Sequence, residues 1–267
     1  MKIALYVRHL ESPLRQQLQL LTDRLHRNGV DTEEVSDRLP VGIHYDFLFS
    51  IGGDGTLLSS VHLIGNRDIP VLGINFGHLG FLTTAGRDDI DTLVSDILAG
   101  RYTLEPRTLL QIVSSPTIAA LTALNEVCLH RLDDAPLLRT DLYVDNDFVA
   151  TYAADGLIVA TPTGSTAYSL SCGGPILTPN SGCFVITPIA AHNLTLRPII
   201  VPDHAALRLV THPNGQQHFN LSADSHQLHP ACGTELHLSR APYTVRLVRL
   251  HRQTFFTAIH QKLGWNF

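Results

Sequence analysis

Among 267 residues there are four cysteines, one tryptophan and one methionine, and charged residues make up 16%. Cys128, Cys172, Cys183 and Cys232 form no C-x-x-C pair and share no zinc-ligand spacing with the fifteen histidines, so no protein-held metal is expected. Buried thiols in a reducing compartment are expected instead. No apolar run reaches 18 residues, and "MKIALYV" at the start is too short for a leader, so the expectation is a soluble, cytoplasmic protein without a membrane partner. The formal net charge is −5 and no basic block occurs, which argues against nucleic acid as a partner. The hydrophobic share of 44% is that of a globular chain able to bury a sizeable core.

Two textures follow one another. In the first hundred residues strand-like runs ("KIALYV", "VDTEEV", "DFLFSI", "IPVLGIN") alternate with helical ones. Leu14, Leu18, Leu21 and Leu25 share one helical face before Gly29, and Ile90, Leu93, Val94, Ile97 and Leu98 share another before Gly100. Such alternation predicts a parallel, doubly wound sheet. After Pro106 short β-prone runs succeed one another, from "LLQIV" to "ELHLSR" and "YTVRLVRL". They are separated by turn signals such as Asp145-Asn146-Asp147 and Pro213-Asn214-Gly215. No convincing long helix is expected there before "FFTAIHQKLGW". The expected organisation is an α/β domain over 1–105, an all-β domain over 106–250, and a segment 251–267 that returns to the first.

Three stretches carry chemistry. "SIGGDGTLLSS" sets Gly52, Gly53 and Gly55 around Asp54, between a strand and a helix. Glycines let backbone N–H groups approach a ligand, and a helix N-terminus at the carboxyl end of a parallel strand favours a phosphate chain, with Thr56 as helper. No lysine follows, which excludes a Walker A loop, and Leu58 stands where the dinucleotide fingerprint needs its third glycine. An acid beside phosphates makes sense if it meets a hydroxyl or a metal ion; the plainer alternative is a tight turn with Asp54 as N-cap. "ADGLIVATPTGSTAYSLSCGGPIL" crowds hydroxyls and glycines behind Asp155, as a flat ligand close to the backbone requires, or as a β-hairpin with polar loops allows. In "LNEVCLH", Asn125 and Glu126 offer an amide and a carboxylate to a diol such as ribose, although an exposed polar pair is the default.

In this order, "GGDGT", "NEV" and "DGLIVATPTGSTAYSLSCGGP" resemble the NAD kinases, and "GINFGHLGFLT", "LRPIIVP", "ADS" and "KLGW" agree. The resemblance runs from about residue 48 to the C-terminus. It implies an α/β domain followed by a β-sandwich-like domain, with the active site between them. The implied reaction moves the γ-phosphoryl of ATP to the 2′-hydroxyl of the adenosine ribose of NAD, giving NADP. A divalent cation, Mg²⁺, would arrive with ATP. Asp54 would take the hydroxyl proton, and Gly55, Thr56 and Asn75 would lie along the nucleotide. Asn125 and Glu126 would hold ribose and adenine-side groups, and Asp155 the nicotinamide amide. Thr163 and the run Thr166, Ala167, Tyr168, Ser169, Leu170 and Ser171 would line the nucleoside pocket, with Tyr168 stacking. The resemblance also implies a homodimer or homotetramer. A lipid kinase of the diacylglycerol type, sharing "GGDGT", and a non-catalytic NAD sensor remain as alternatives.

Overall fold

The computed structural model describes residues 1–8, 12–77, 80–86, 89–113, 118–250 and 254–265. It divides into two compact units, one of Met1–Arg107 with Val245–Phe267, the other of Thr108–Thr244.

The first unit alternates β1 (Lys2–Val7), α1 (Ser12–Arg27), β2 (Asp31–Val35), β3 (Phe47–Ile51), α2 (Asp54–Ile64), β4 (Val71–Ile74) and α3 (Ile90–Leu98). The strands lie in the order β2-β1-β3-β4, all parallel. Every residue of β3 and β4 is buried, as expected for strands covered on both faces. Leu18, Leu21 and Leu25 of α1 and Ile90, Leu93, Val94 and Ile97 of α3 pack on Ile3, Leu5, Phe47, Phe49 and Ile51. Each such side chain contributes about 1.5–3 kcal/mol by leaving water. Gly29 and Gly100 follow α1 and α3 at φ 73° and 69°, the left-handed helix-ending conformation. The helix α5 (Phe255–Leu263) also belongs to this unit and starts from Thr254, whose side chain accepts from Thr257 N.

The second unit is built of short antiparallel strands. Its chain order is β5 (Tyr102–Ile112), β6 (Leu121–Ala123), β7 (Glu126–His130), β8 (Leu138–Val144), β9 (Asp147–Ala154) and β10 (Gly156–Ala160). There follow α4 (Tyr168–Ser171), β11 (Cys183–Ile189), β12 (Ile199–Pro202), β13 (Leu207–His212), β14 (Asn220–Ala223), β15 (His226–Leu228) and β16 (Glu235–Leu250). The part of β5 up to Arg107 and the part of β16 from Val245 belong to the first unit. One sheet runs β12-β11-β10-β7-β14-β15; β9-β8-β13-β16 form another ladder. The inward residues of both, including Leu129, Leu157, Phe184 and Leu221 on one side and Leu142, Tyr152, Leu209 and Leu238 on the other, make one core. That is the two-layer logic of a β-sandwich.

Two expectations need correction. "ELHLSR" and "YTVRLVRL" are a single sixteen-residue strand, β16. Its ladder with β13 ends at Leu238, its pairing with β4 falls at Leu247, and β5 pairs with it as well. Among the described residues the β half holds no long helix, as expected; its helical pieces are a 3₁₀ turn at Gly164–Thr166 and the four-residue α4 that follows. Single turns leave no periodicity to read. Of the cysteines, all free, only Cys128 is fully buried; Cys172, Cys183 and Cys232 are half-buried. No described helix is long and apolar enough to cross a membrane.

Candidate active site

Asp54 opens α2, but it is not the cap. Gly53 holds the N-cap position, and no side chain caps the helix. The Asp54 carboxylate instead accepts three consecutive backbone N–H groups: Phe81 to Oδ2 at 2.8 Å, and Leu82 and Thr83 to Oδ1 at 3.1 and 3.3 Å. Gly80 makes this approach possible, because a Cβ there would lie 1.9 Å from Asp54 Oδ1. Gly80 N in turn donates to Thr83 Oγ1 at 2.7 Å, which closes the turn on itself. The segment is the tail of "GINFGHLGFLT", of which His78 and Leu79 lie outside the described residues.

The three glycines of the turn have different reasons. Gly52 has φ 147°, and a Cβ on it would meet Thr56 Oγ1 at 2.4 Å, so this position excludes a side chain. Gly53 has φ −76°, and Gly55 has open space around its Cα. A ligand can approach the helix mouth at Gly55, where the first N–H groups lack intrahelical partners. Asn75, at the end of β4, accepts Gly77 N at 3.0 Å through Oδ1. In the first unit the structure thus brings Asp54, Gly55, Thr56 and Asn75 to the carboxyl ends of neighbouring parallel strands.

The second unit gathers its own set. Asp224, left-handed at φ 48° in the β14–β15 turn, accepts Leu124 N at 2.7 Å, Asn125 N at 2.9 Å and Glu126 N at 3.2 Å. Asn125 is buried, not exposed, and its carbonyl takes Thr161 N. Glu126 Oε2 is buried without a hydrogen-bond partner. Burial, and then the nearby Asp224 carboxylate, push the Glu126 carboxyl up to about 8. At neutral pH it therefore holds a proton and can donate. Asp155 is gripped by Arg131, whose Nε donates to Oδ1 at 2.6 Å.

The hydroxyl-rich run divides. Thr161, Ser165 and Ser169 are fully buried and serve the fold. Thr161 donates to Leu124 O, Ser165 to Pro162 O, and Ser169 shares a bond with Thr187 Oγ1 at 2.8 Å. The Ser169 hydroxyl is thus spent inside, whereas its backbone begins a turn that Gly174 approaches closely. Thr163 is buried beside Gly164, whose missing Cβ admits the Asn125 carbonyl, and Thr166 donates to Thr163 O. Ala167, Leu170 and Ser171 lie along the same turn, with Ala167 and Leu170 half-buried and Ser171 exposed. Tyr168 is 40% exposed and borders a pocket of about 260 Å³ with Cys128, His130, Asn220, Leu221, Ser222 and Gln227.

Sequence reasoning missed the amides of residues 81–83, Arg131, and the role of Asp224. Asp224 lies within "ADS", one of the stretches that carry the family resemblance. The other partners carry no local signal.

Comparisons with known proteins converge on one group. Residues 10–102 match the ATP-NAD kinase N-terminal domain, and residues 124–250 the ATP-NAD kinase C-terminal domain. An NAD kinase of Christiangramia forsetii is 40% identical over 225 residues, 83% of this chain and 76% of that one. Among solved structures, a yeast NADH kinase complexed with NADH aligns with a TM-score of 0.89 at 24% identity, over 100% of this chain and 88% of that one. An Archaeoglobus fulgidus NAD kinase in complex with ATP aligns at 0.82 and 24%, over 99% of each chain. At that identity the two structures speak for the fold. The motifs, the paired domains and the close sequence relatives together place the chain in the ATP-NAD kinase family.

Proposed function

We infer that the chain phosphorylates NAD, moving the γ-phosphoryl of ATP to the 2′-hydroxyl of the adenosine ribose to give NADP. The single observation that carries a mechanism is the Asp54 carboxylate, aimed by three backbone N–H groups at the mouth of α2. Phosphoryl transfer through a loose transition state asks for alignment and charge neutralisation more than for covalent work. Asp54 would orient the ribose hydroxyl and take its proton as the bond to phosphorus forms. A positioned base of this kind contributes on the order of 10²–10⁴-fold. Gly55 and Thr56 would lie along the phosphates at the helix N-terminus.

In the second unit, Asn125, protonated Glu126, Thr163 and the turn from Thr166 to Ser171 would hold the nucleoside, with Tyr168 against a flat ring. Asp155, ordered by Arg131, would accept from the nicotinamide amide. Binding energy from these remote groups serves to align the reacting hydroxyl.

A divalent cation fits as a guest of the nucleotide. Among the described residues no three His, Cys, Asp or Glu side chains converge on a metal site, so phosphate oxygens would supply most ligands. Mg²⁺ delivered with ATP would neutralise charge on the transferring phosphoryl group. Self-association as a homodimer or homotetramer is also proposed. The six-stranded sheet ends on β12, where Ile200 is exposed, and on the short β15, edges that a symmetry mate could cover. Light scattering that finds a fully active monomer would refute it.

A coupled assay for NADP, run on NAD and NADH with ATP and with polyphosphate, tests the main assignment. Turnover of diacylglycerol equal to that of NAD would return the assignment to a lipid kinase.

A further inference from the structure

The Gly80–Thr83 segment that aims Asp54 is anchored differently at its two ends. Its far end is tied to β4 by backbone bonds, from Thr84 N to Gly73 O and from Asn75 N to Ala85 O, each 2.9 Å. At its near end, Arg249 of β16 donates from Nη2 to the Phe81 carbonyl at 3.4 Å. The neighbouring Val248 carbonyl accepts Thr84 Oγ1, also at 3.4 Å. Arg249 is in turn fixed by Glu105, whose Oε2 accepts its Nε at 3.0 Å. The same Glu105 oxygen takes a short bond from Arg107, a guanidinium only 2% exposed. Burial by itself would raise the Glu105 carboxyl, yet Arg107 and Arg249 together hold it below its usual value. It is therefore an anion between two guanidinium groups. A guanidinium is planar and rigid, so holding Nε on Glu105 sets the direction of Nη2.

The Phe81 carbonyl and the Leu82 N–H belong to one planar trans peptide and point in opposite directions. Whatever fixes the carbonyl aims the N–H, and that N–H points at Asp54 Oδ1. We propose that Arg249 is a positioning residue for Asp54: held by Glu105, it fixes the Phe81–Leu82 peptide plane and so aims the Leu82 N–H at the Asp54 carboxylate. The proposal rests on the assignment of Asp54 as the group that orients the reacting hydroxyl. All its members lie in the first unit.

The experiment is a mutant cycle with an independent backbone readout. Arg249→Met, Arg249→Lys, Asp54→Asn and Asp54→Asn/Arg249→Lys are compared for kcat, KM for NAD, melting temperature and amide exchange at Leu82. Arg249→Met should lower kcat about 10- to 100-fold, the scale of a small misplacement of a reacting group, with KM for NAD within about twofold. Leu82 exchange should quicken by about tenfold or more as local opening becomes easier. Arg249→Lys keeps a charge beside Glu105 but cannot serve both ends with one ammonium, so it should show the same pattern with a parental melting temperature. It carries the test if the methionine variant fails to fold. In the double variant the lysine should lower kcat less than about twofold below Asp54→Asn alone, because the two residues act as a unit. Unchanged kcat and Leu82 exchange in Arg249→Lys, or losses that multiply in the double variant, would overturn the proposal. An Asp54→Asn enzyme within about tenfold of the parent would instead remove the role of Asp54 itself, a separate result that takes the reason for Arg249 with it.

Discussion

The two units use one device for two ends. In the first, Asp54 collects the N–H groups of residues 81, 82 and 83; in the second, Asp224 collects those of 124, 125 and 126. The difference lies in what stands beside the carboxylate. Asp54 opens a helix whose mouth offers further N–H groups to a ligand. Asp224 has Glu126 next to it and takes the backbone donors at that strand start, Glu126's own N–H included. Glu126 is left with a buried, unpartnered Oε2 and a carboxyl near neutral-pH titration. A carboxylate satisfied by backbone can position a reacting group, while a carboxyl denied such partners is available for a ligand that brings an acceptor.

The sharpest way to break this contrast is Asp54→Asn. Turnover should fall about 10²–10⁴-fold with KM for NAD little changed, measured by NADP formation at saturating ATP. Asparagine is not a silent probe here. Its NH₂ must face at least one of the three backbone donors, so part of the loss is displacement of the 81–83 segment. Gly80→Ala separates the two contributions. It leaves the carboxylate intact but puts a methyl 1.9 Å from it, and a shift on the order of 1 Å should cost about 10²-fold in kcat. A Gly80→Ala enzyme with parental kcat would show that the three-amide grip does not matter.

Glu126→Gln probes the other side of the comparison through stability. The Glu126 carboxyl titrates at about 8 when folded, against 4.5 as its ordinary value. Below 4.5 both folded and unfolded chains hold the proton, and no penalty exists. As pH rises toward 8 only the unfolded chain releases it, so stability falls across this window and levels off above it. Glu126→Gln escapes the penalty and should gain on the parent by a few kcal/mol, as an order of magnitude, between pH 5 and pH 8.5 in denaturant titrations. The parent's affinity for NAD should also weaken as pH rises through about 8, when the donated proton is lost. A stability difference that does not change with pH would sink both expectations. The smallest effect is expected for Asp155→Ala, about tenfold in KM for NAD with kcat nearly intact, since one charge-assisted contact remote from the phosphoryl group is lost. A fall in kcat alone would place Asp155 nearer the chemistry.

Much of the fold was legible. Leucine spacing marked α1, Gly29 and Gly100 marked helix ends, and Asp145-Asn146 marked the β8–β9 turn, where both residues have positive φ. The hydroxyl-rich run was legible only in part. Its density suggested a lined pocket, but Thr161, Ser165 and Ser169 turn inward to satisfy buried backbone and one another. A serine that lines a ligand and one that holds a turn are the same letter, and burial decides between them.

The sequence by itself determined the alternation of elements, the turns and the family, because these rest on side chains a few residues apart or on motifs read in order. Only the tertiary structure decided the partners of the working groups. Arg131 meets Asp155 from 24 residues away, Phe81 meets Asp54 from 27, Asp224 meets Leu124 from 100, and Arg249 meets Phe81 from 168. In most of these bonds one member is a backbone N–H or carbonyl, a group that nearly every residue carries alike, so nothing in the letters marks it until folding brings it to its partner.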